Sequence, residues 1–243
     1  MRLTRRIFLL SSAFFLTWIS GCGGSVQDVL KIFFRYTNAV PDLAGTDFFV
    51  DDSLNQANVA YQASMADFAE LENREREVFF DAFEAGTSNL LDSILVEKRD
   101  EISFHVFAVG LGSPTGFQEP ARLIAPEVTR TRPTGSNARI IWVHGYNRKP
   151  SAQTPSVDIF RSGALNEIVD GLEFAATRSI NLAAGTYDFT VRIDGLEESE
   201  LITKTGVSIV AGKIYVALLC GEEDTVGPTA PDILFFEESI KQN

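Results

Sequence analysis

The chain has 243 residues and a formal net charge of −12 at pH 7, which results from 33 acidic and 21 basic side chains. So acidic a surface repels phosphate backbones and anionic lipid headgroups. It therefore argues against nucleic acid as a partner and against electrostatic docking to a membrane. The length allows one large domain or two small ones.

The N-terminal segment, residues 1–21, is predicted to be a cleaved signal peptide. It begins with the basic residues Arg2, Arg5 and Arg6, and an apolar stretch of 13 residues from Ile7 to Ile19 follows. A helix needs about 20 residues to cross the hydrocarbon core of a bilayer, so this stretch is too short to span it. An uncleaved anchor or a buried helix is the alternative interpretation.

The end of this segment, Trp18-Ile19-Ser20-Gly21-Cys22-Gly23, resembles a bacterial lipobox. The resemblance implies that Cys22 becomes the lipid-modified first residue of a mature lipoprotein of the cell envelope, with residues 22–28 as its tether. Glycine rather than aspartate at position 23 favours the outer membrane if the host is Gram-negative. Cys220 is then the remaining cysteine, so neither an intramolecular disulfide nor a cysteine-based metal site is expected.

A second resemblance overlaps the first, because Thr4-Arg5-Arg6-Ile7-Phe8-Leu9 is similar to a twin-arginine export motif. That route carries folded cargo, often together with a cofactor. It is the basis of one alternative function, an exported cofactor-carrying or enzyme-associated protein. An ordinary basic signal sequence explains the same arginines, and no other feature implies a cofactor.

The chain repeats itself at an interval of about 110 residues, which is the size of a whole domain. Each repeated segment is short, rich in Val, Ile, Phe, Tyr and Thr, and bounded by Gly, Pro, Asn or Asp, as is typical of strands. The matched segments are 30–36 with 138–144, 46–49 with 157–160, 78–86 with 187–195, 103–110 with 214–221, and 122–127 with 232–237.

This repeat predicts an all-β chain with two tandem immunoglobulin-like antiparallel β-sandwich domains. Copy one is expected at residues 29–127, a linker at 128–137, and copy two at 138–243. Apolar and polar residues alternate from Tyr187 to Ile193, which indicates a strand with one buried face. Only residues 61–73 have a composition that favours helix, as a single turn or a loop.

Copy two contains four turn-and-strand segments that together form a pattern. They are Arg139-Ile140-Ile141-Trp142-Val143-His144, Ser156-Val157-Asp158-Ile159-Phe160, Leu182-Ala183-Ala184-Gly185-Thr186-Tyr187-Asp188-Phe189-Thr190-Val191 and Val210-Ala211-Gly212-Lys213-Ile214-Tyr215. This pattern resembles the domain-of-unknown-function family 4397. The resemblance implies a secreted or surface β-sandwich module, commonly in tandem and sometimes on lipoproteins, without established catalytic residues. Copy one departs from the family pattern, because residues 72–77 replace the Ala-Gly-Thr turn.

Few residues suggest catalysis or metal binding. His105 and His144 are the two histidines, and they lack the spacing of a zinc site, so both are predicted to be strand or core residues. No Gly-x-Ser-x-Gly motif of a serine hydrolase is present. The candidate calcium ligands are Asp47, Asp51 and Asp52, although solvated acidic loops are common in so negative a chain. We therefore expect neither an enzyme nor a cofactor.

Copy one carries three phenylalanine pairs, Phe33-Phe34, Phe48-Phe49 and Phe79-Phe80. Neighbouring residues of a strand point to opposite faces, so one member of each pair must lie outside the core. Phe34, Phe49 and Phe79 are predicted to form a partner face, covered by copy two or by an envelope protein. Scattered surface aromatic residues are the alternative.

The sequence thus predicts a lipid-anchored, non-catalytic binding or scaffold module. An adhesin or carbohydrate-binding protein is a further alternative, in which Trp142 or the tyrosines would stack on sugar rings, although Trp142 is expected in the core.

Overall fold

The computed structural model describes residues 30–73, 76–99, 102–196 and 200–238. The predicted signal peptide and Cys22 lie outside these residues. Seventeen strands and one short 3-10 turn at Gly227–Thr229 make up the regular structure of the described part. The fold is therefore all-β, as predicted.

Within the described ranges, copy one contains nine strands and copy two contains eight. Copy one has β1 (Leu30–Ala39), β2 (Thr46–Val50), β3 (Ser53–Val59), β4 (Ala69–Asn73), β5 (Glu77–Glu84), β6 (Leu90–Glu97), β7 (Ile102–Val109), β8 (Arg122–Ile124) and β9 (Glu127–Thr129). Copy two has β10 (Asn137–His144), β11 (Val157–Arg161), β12 (Val169–Leu172), β13 (Thr177–Ala183), β14 (Gly185–Ile193), β15 (Glu200–Ile209), β16 (Ile214–Cys220) and β17 (Asp232–Glu237).

The two copies have the same strand order. In copy one the sheets are β4-β1-β7-β8, with β9 also paired to β7, and β3-β2-β5-β6. In copy two they are β13-β10-β16-β17 and β12-β11-β14-β15. All pairs are antiparallel except β1 with β7 and β10 with β16, which are parallel. This match confirms the predicted tandem pair of sandwiches.

Each copy has its own core between its two sheets, because alternate residues of every strand point inward. In copy one, Tyr36 stacks on Phe48 with ring centroids 4.3 Å apart. In copy two, Trp142 meets the edge of Phe189 at 5.3 Å. Trp142 is fully buried, as predicted.

Two local predictions need correction. The helix-favouring segment 61–73 ends in β4, which pairs with β1. Its period of two packs Ala69 and Leu71 against the core and leaves Glu70 and Glu72 on the other side, where both bond to Lys31 at 2.6 Å. Strand β9 pairs with β7 up to Thr129, so the predicted linker 128–137 begins inside a strand.

A third apolar layer lies between the two copies. The outer face of the β1-β7 sheet packs against the outer face of the β10-β16 sheet. The parallel strands β7 and β16 are consequently buried on both faces, which explains why their sequences are almost continuously apolar. The buried members are Ala39, Phe107, Val109, Ile124 and Val128 of copy one, and Ile141, Val143, Ile214, Val216, Leu218 and Cys220 of copy two.

Candidate functional site

The outer side of the β3-β2-β5-β6 sheet of copy one exposes several large apolar side chains. Strand β5 buries Val78, Phe80 and Ala82, so the alternate residues of this strand point outward. Phe79 lies opposite Leu95 of β6, and Phe49 of β2 lies opposite Leu54 of β3. We call the surface formed by Phe49, Leu54, Phe79, Phe83 and Leu95 the apolar face.

The apolar face is open to solvent. Leu54 is 55% exposed, Phe79 is 51% exposed and Leu95 is 45% exposed. Phe49 and Phe83 pack edge to face, with ring centroids 5.0 Å apart. Water contact with so many neighbouring apolar side chains is unfavourable, and such patches are typical of interaction sites.

The structure brings together two of the three residues predicted for a partner face. Phe49 and Phe79 belong to the apolar face, but Phe34 does not. Phe34 is buried in the core of copy one, with its ring centroid 5.3 Å from that of Phe80. The outward member of that pair is Phe33, whose ring is covered by the guanidinium group of Arg130 at 3.9 Å.

Charges on and around the apolar face are mostly negative. Asp81 lies between Phe79 and Phe83 along β5, with Phe49 and Ser93 as its neighbours on the adjacent strands. Asp81 is half-buried, and none of the described cationic side chains forms an ion pair with it.

The corresponding surface of copy two is polar. Phe160 pairs with Thr190 as Phe49 pairs with Asp81, so Thr190 is the counterpart of Asp81. By the same register Asp188 replaces Phe79. Arg192 replaces Phe83, and its guanidinium carbon lies 4.8 Å from the ring centroid of Phe160. The apolar face is therefore a property of copy one, although the two copies share one fold.

The three candidate calcium ligands do not form a site. Asp47 lies at one end of β2 and accepts hydrogen bonds from the backbone N–H groups of Asn58 at 2.7 Å and Gly86 at 2.9 Å. Asp51 and Asp52 lie at the other end, in the turn to β3, where their positive φ angles of 47° and 61° form a tight hairpin. Strand β2 separates Asp47 from Asp51 and Asp52, so the structure does not bring these three candidate ligands together.

A different acidic group comes together in copy two, and sequence reasoning missed it. Carboxylate oxygens of Asp158, Asp170 and Asp194 lie within 4.8 Å of one another. Asp158 accepts hydrogen bonds from the N–H groups of Gly171 at 2.9 Å and Gly195 at 3.3 Å. Asp158 lies in β11, Asp170 lies in β12 and Asp194 follows β14. Because three separate elements supply the carboxylates, their spacing in the sequence does not predict that they meet.

A buried polar cluster joins the two copies. His105 Nδ1 lies 2.7 Å from Oε1 of Glu238, which follows the last strand of copy two. His105 Nε2 lies 2.7 Å from Thr37 Oγ1, and Arg35 Nη2 lies 3.9 Å from the same Glu238 oxygen. We call Arg35, Thr37, His105 and Glu238 the inter-sandwich polar cluster.

Both histidines are buried, which confirms their prediction as strand or core residues. Burial lowers the pKa of His105 to about 4, although the nearby Glu238 carboxylate opposes this effect. Burial also lowers the pKa of His144 to about 4, and Nε2 of His144 lies 3.1 Å from the carbonyl oxygen of Pro155. Both rings are therefore neutral at pH 7.

The inter-sandwich polar cluster places a hydroxyl, an imidazole and a carboxylate in series, as nucleophilic enzymes do. However, Thr37 and His105 have no exposed surface, so a substrate does not reach them in this conformation. Burial also raises the pKa of the Cys220 thiol to about 12, which leaves this thiol unreactive. These groups hold the two copies together rather than forming an accessible reaction centre.

No protein-family model matches the chain, and no curated protein is similar to it in sequence. Among solved structures, the chain is similar to CBMbc (family CBM26) from Eubacterium rectale Amy13K in complex with maltoheptaose. The identity is 9% and the TM-score 0.24, over 86% of this chain and 98% of that chain. A structure of alpha-glucan binding by a streptococcal virulence factor gives 11% identity and a TM-score of 0.25, over 79% of this chain and 94% of that chain. Scores this low carry no argument about function.

None of the described residues forms a helix with the length and apolar character that a transmembrane span requires.

Proposed function

We propose that the protein is a non-catalytic binding module of the cell envelope, and that its apolar face contacts a partner protein. The observation that carries this proposal is the exposure of Leu54, Phe79 and Leu95 as neighbours on one sheet. Each of these side chains is about half exposed, so covering it removes about half of its surface from water and contributes about 1 kcal/mol to the binding of a partner.

The contrast between the copies supports a specific role for copy one. A β-sandwich of this topology does not need an apolar outer face, because copy two has the same strand order and a polar one. Trp142, the side chain predicted to stack on sugars, is buried in the core of copy two. The carbohydrate-binding alternative therefore loses Trp142 and keeps only the tyrosines, of which Tyr36, Tyr146 and Tyr215 are also buried.

The test is in-cell crosslinking followed by mass spectrometry with the Phe79→Asp variant. We expect the variant to lose its crosslinked partner and to keep its thermal unfolding, because an exposed position changes stability by no more than about 0.5 kcal/mol. Leu165→Asp is the matched control, since Leu165 is an exposed leucine of copy two and lies outside the apolar face. Unchanged partners after Phe79→Asp would exclude the apolar face as the binding surface.

We further propose that a lipid on Cys22 anchors the module, which rests on the lipobox resemblance alone. Seven residues lie between Cys22 and Leu30, the first residue of β1, so the tether spans at most about 28 Å. Copy one, with its apolar face, would then lie close to the membrane.

Fatty-acid labelling tests the anchor. The Cys22→Ala variant is expected to lose the label and leave the membrane fraction, whereas Cys220→Ala, which changes the buried cysteine, keeps both. A Cys22→Ala variant that is still membrane-bound would contradict the anchor and leave the binding role of the apolar face untouched.

A further inference from the structure

We infer that the partner of the apolar face is a protein surface that places a lysine or arginine side chain against Asp81, with apolar side chains around it. This inference rests on the proposed function, and it specifies the chemistry of the partner. It follows from the position of one carboxylate among the apolar side chains of the face.

The position of Asp81 is central. Phe79 and Phe83 precede and follow it by two residues on β5, so all three side chains leave the same side of the strand. Phe49 lies directly opposite Asp81 on β2. A partner that covers these aromatic rings must therefore cover the carboxylate as well.

Covering the carboxylate without compensation is unfavourable. A charge that is removed from water costs several kcal/mol unless a counter-charge or hydrogen-bond donors replace the solvent. None of the described cations supplies this compensation. Arg76 and Arg99, near the end of β6, instead lie 2.8 Å and 3.6 Å from Glu97. The counter-charge must therefore come from the partner.

The same carboxylate disfavours the other occupants of an apolar surface. Two copies of this chain that met through their apolar faces would bring two Asp81 carboxylates, and Glu77 of each strand β5, into one interface. An anionic membrane would meet the same negative groups. Asp81 thus makes the face specific: it weakens the binding of a purely apolar or acidic surface and favours an apolar surface that carries a basic residue.

Copy two offers an internal comparison. Thr190 occupies the position of Asp81, and its hydroxyl lies 3.2 Å from that of Thr203 on the adjacent strand. A neutral, internally bonded residue therefore satisfies the fold at this position. The carboxylate of copy one is not required by the sheet.

The experiment uses the full chain in cells, with the photo-crosslinking amino acid p-benzoylphenylalanine in place of Leu95. Leu95 belongs to the apolar face, and the probe keeps a large apolar side chain there while Phe79 and Asp81 stay unchanged. Crosslinking is compared in the parent chain and in the Asp81→Asn, Asp81→Lys and Thr190→Lys variants. Thermal unfolding of each variant verifies its fold.

We expect the adduct to decrease about tenfold or more in Asp81→Lys, to decrease less in Asp81→Asn, and to stay unchanged in Thr190→Lys. The crosslinked peptide of the partner should contain a lysine or arginine. Replacement of that basic residue of the partner by glutamate should restore the adduct with the Asp81→Lys variant. This reciprocal rescue is a result that mere structural damage at position 81 does not produce.

Each other outcome overturns the inference, and the outcomes are distinguishable. An adduct that is insensitive to the charge at position 81 leaves the binding function in place and removes the selection by Asp81. An adduct with a second copy of the chain, or with lipid, would show that the apolar face binds something other than a basic partner protein. Absence of any adduct at position 95, together with unchanged partners in Phe79→Asp, rejects the proposed function as well.

Discussion

The carboxylate of Glu238 makes the most consequential single contact between the two copies. It is buried, and it faces both the imidazole of His105 and the guanidinium group of Arg35. The guanidinium carbon of Arg35 also lies 5.2 Å from the ring centroid of Phe236 in copy two. Removal of Glu238 would therefore take one of two nearby carboxylates from the buried Arg35 guanidinium group, the other being Asp67.

We expect Glu238→Ala to lower the free energy of unfolding by about 3–5 kcal/mol, because it breaks a buried charge network at one partner. The adjacent Glu237→Ala is the matched control. Glu237 is exposed and bonds to Lys213 on the surface, where such pairs contribute about 0–1 kcal/mol. Urea denaturation of both variants measures the difference, and equal losses would contradict a specific role of Glu238.

The burial of His105 could be predicted from its alternation within an apolar strand, but its partner could not. Glu238 is 133 residues away in the sequence and belongs to the other copy. The local sequence pattern predicts on which face of the strand a side chain lies. The packing of the two copies determines which residue contacts it on that face. The apposition of Asp158, Asp170 and Asp194 could not be predicted either, because strand pairing within copy two brings together residues that are far apart in the sequence.

At the scale of strands and hairpins, one aspartate in each copy ties two turns together. Asp47 bonds to backbone N–H groups of Asn58 and Gly86, and Asp158 bonds to those of Gly171 and Gly195. Both aspartates lie in the second strand of their copy. The repeated geometry indicates a structural element of this sandwich rather than a metal ligand.

We expect Asp47→Ala to destabilise the protein by about 1.5–3 kcal/mol, since each hydrogen bond to a charged group contributes on this order. Added calcium should not restore the loss. Glu77→Ala, on the exposed side of β5, should change stability by less than about 0.5 kcal/mol and is the control. A calcium-dependent melting temperature that disappears in Asp47→Ala would instead revive the metal assignment.

The phenylalanine pairs show how far strand alternation can be used. In β2 and β5 a polar residue lies two positions from the outward phenylalanine, Asp47 for Phe49 and Asp81 for Phe79. These polar residues indicate which side of the strand faces solvent, and both phenylalanines point to that side as predicted. Strand β1 is buried on both sides by its own core and by copy two. Because neither side of β1 faces solvent, its sequence does not show which phenylalanine points away from the core, and the prediction of Phe34 rather than Phe33 was wrong.

Considered as a whole, the molecule is two sandwiches that share a third buried layer. The 110-residue repeat predicted the two sandwiches, but it contains no information on how they contact each other. Continuous apolar runs in β7 and β16 were the available sign, because a strand with one open face would alternate. The contact explains why the apolar face of copy one is found on the opposite sheet.

The two copies approach each other closely at Gly145 of copy two and Val109 of copy one. A Cβ atom at position 145 would lie 2.5 Å from Val109 Cγ1 and 2.7 Å from Val109 Cβ. Such distances are too short for packed carbon atoms, and the backbone conformation of Gly145 does not itself exclude alanine. An added methyl group at this position would therefore push the two sandwiches apart.

We expect Gly145→Ala to cost about 1–3 kcal/mol of unfolding free energy through overpacking. Val109→Ala should cost about 2 kcal/mol through its cavity. The double variant should lose at least about 1 kcal/mol less than the sum, because each change relieves the other. Gly145→Ala combined with Val78→Ala, in the separate core of copy one, should be additive. If the first pair were additive as well, the two sandwiches would not be in contact at this point, and the shared layer that makes them one folded unit would be refuted.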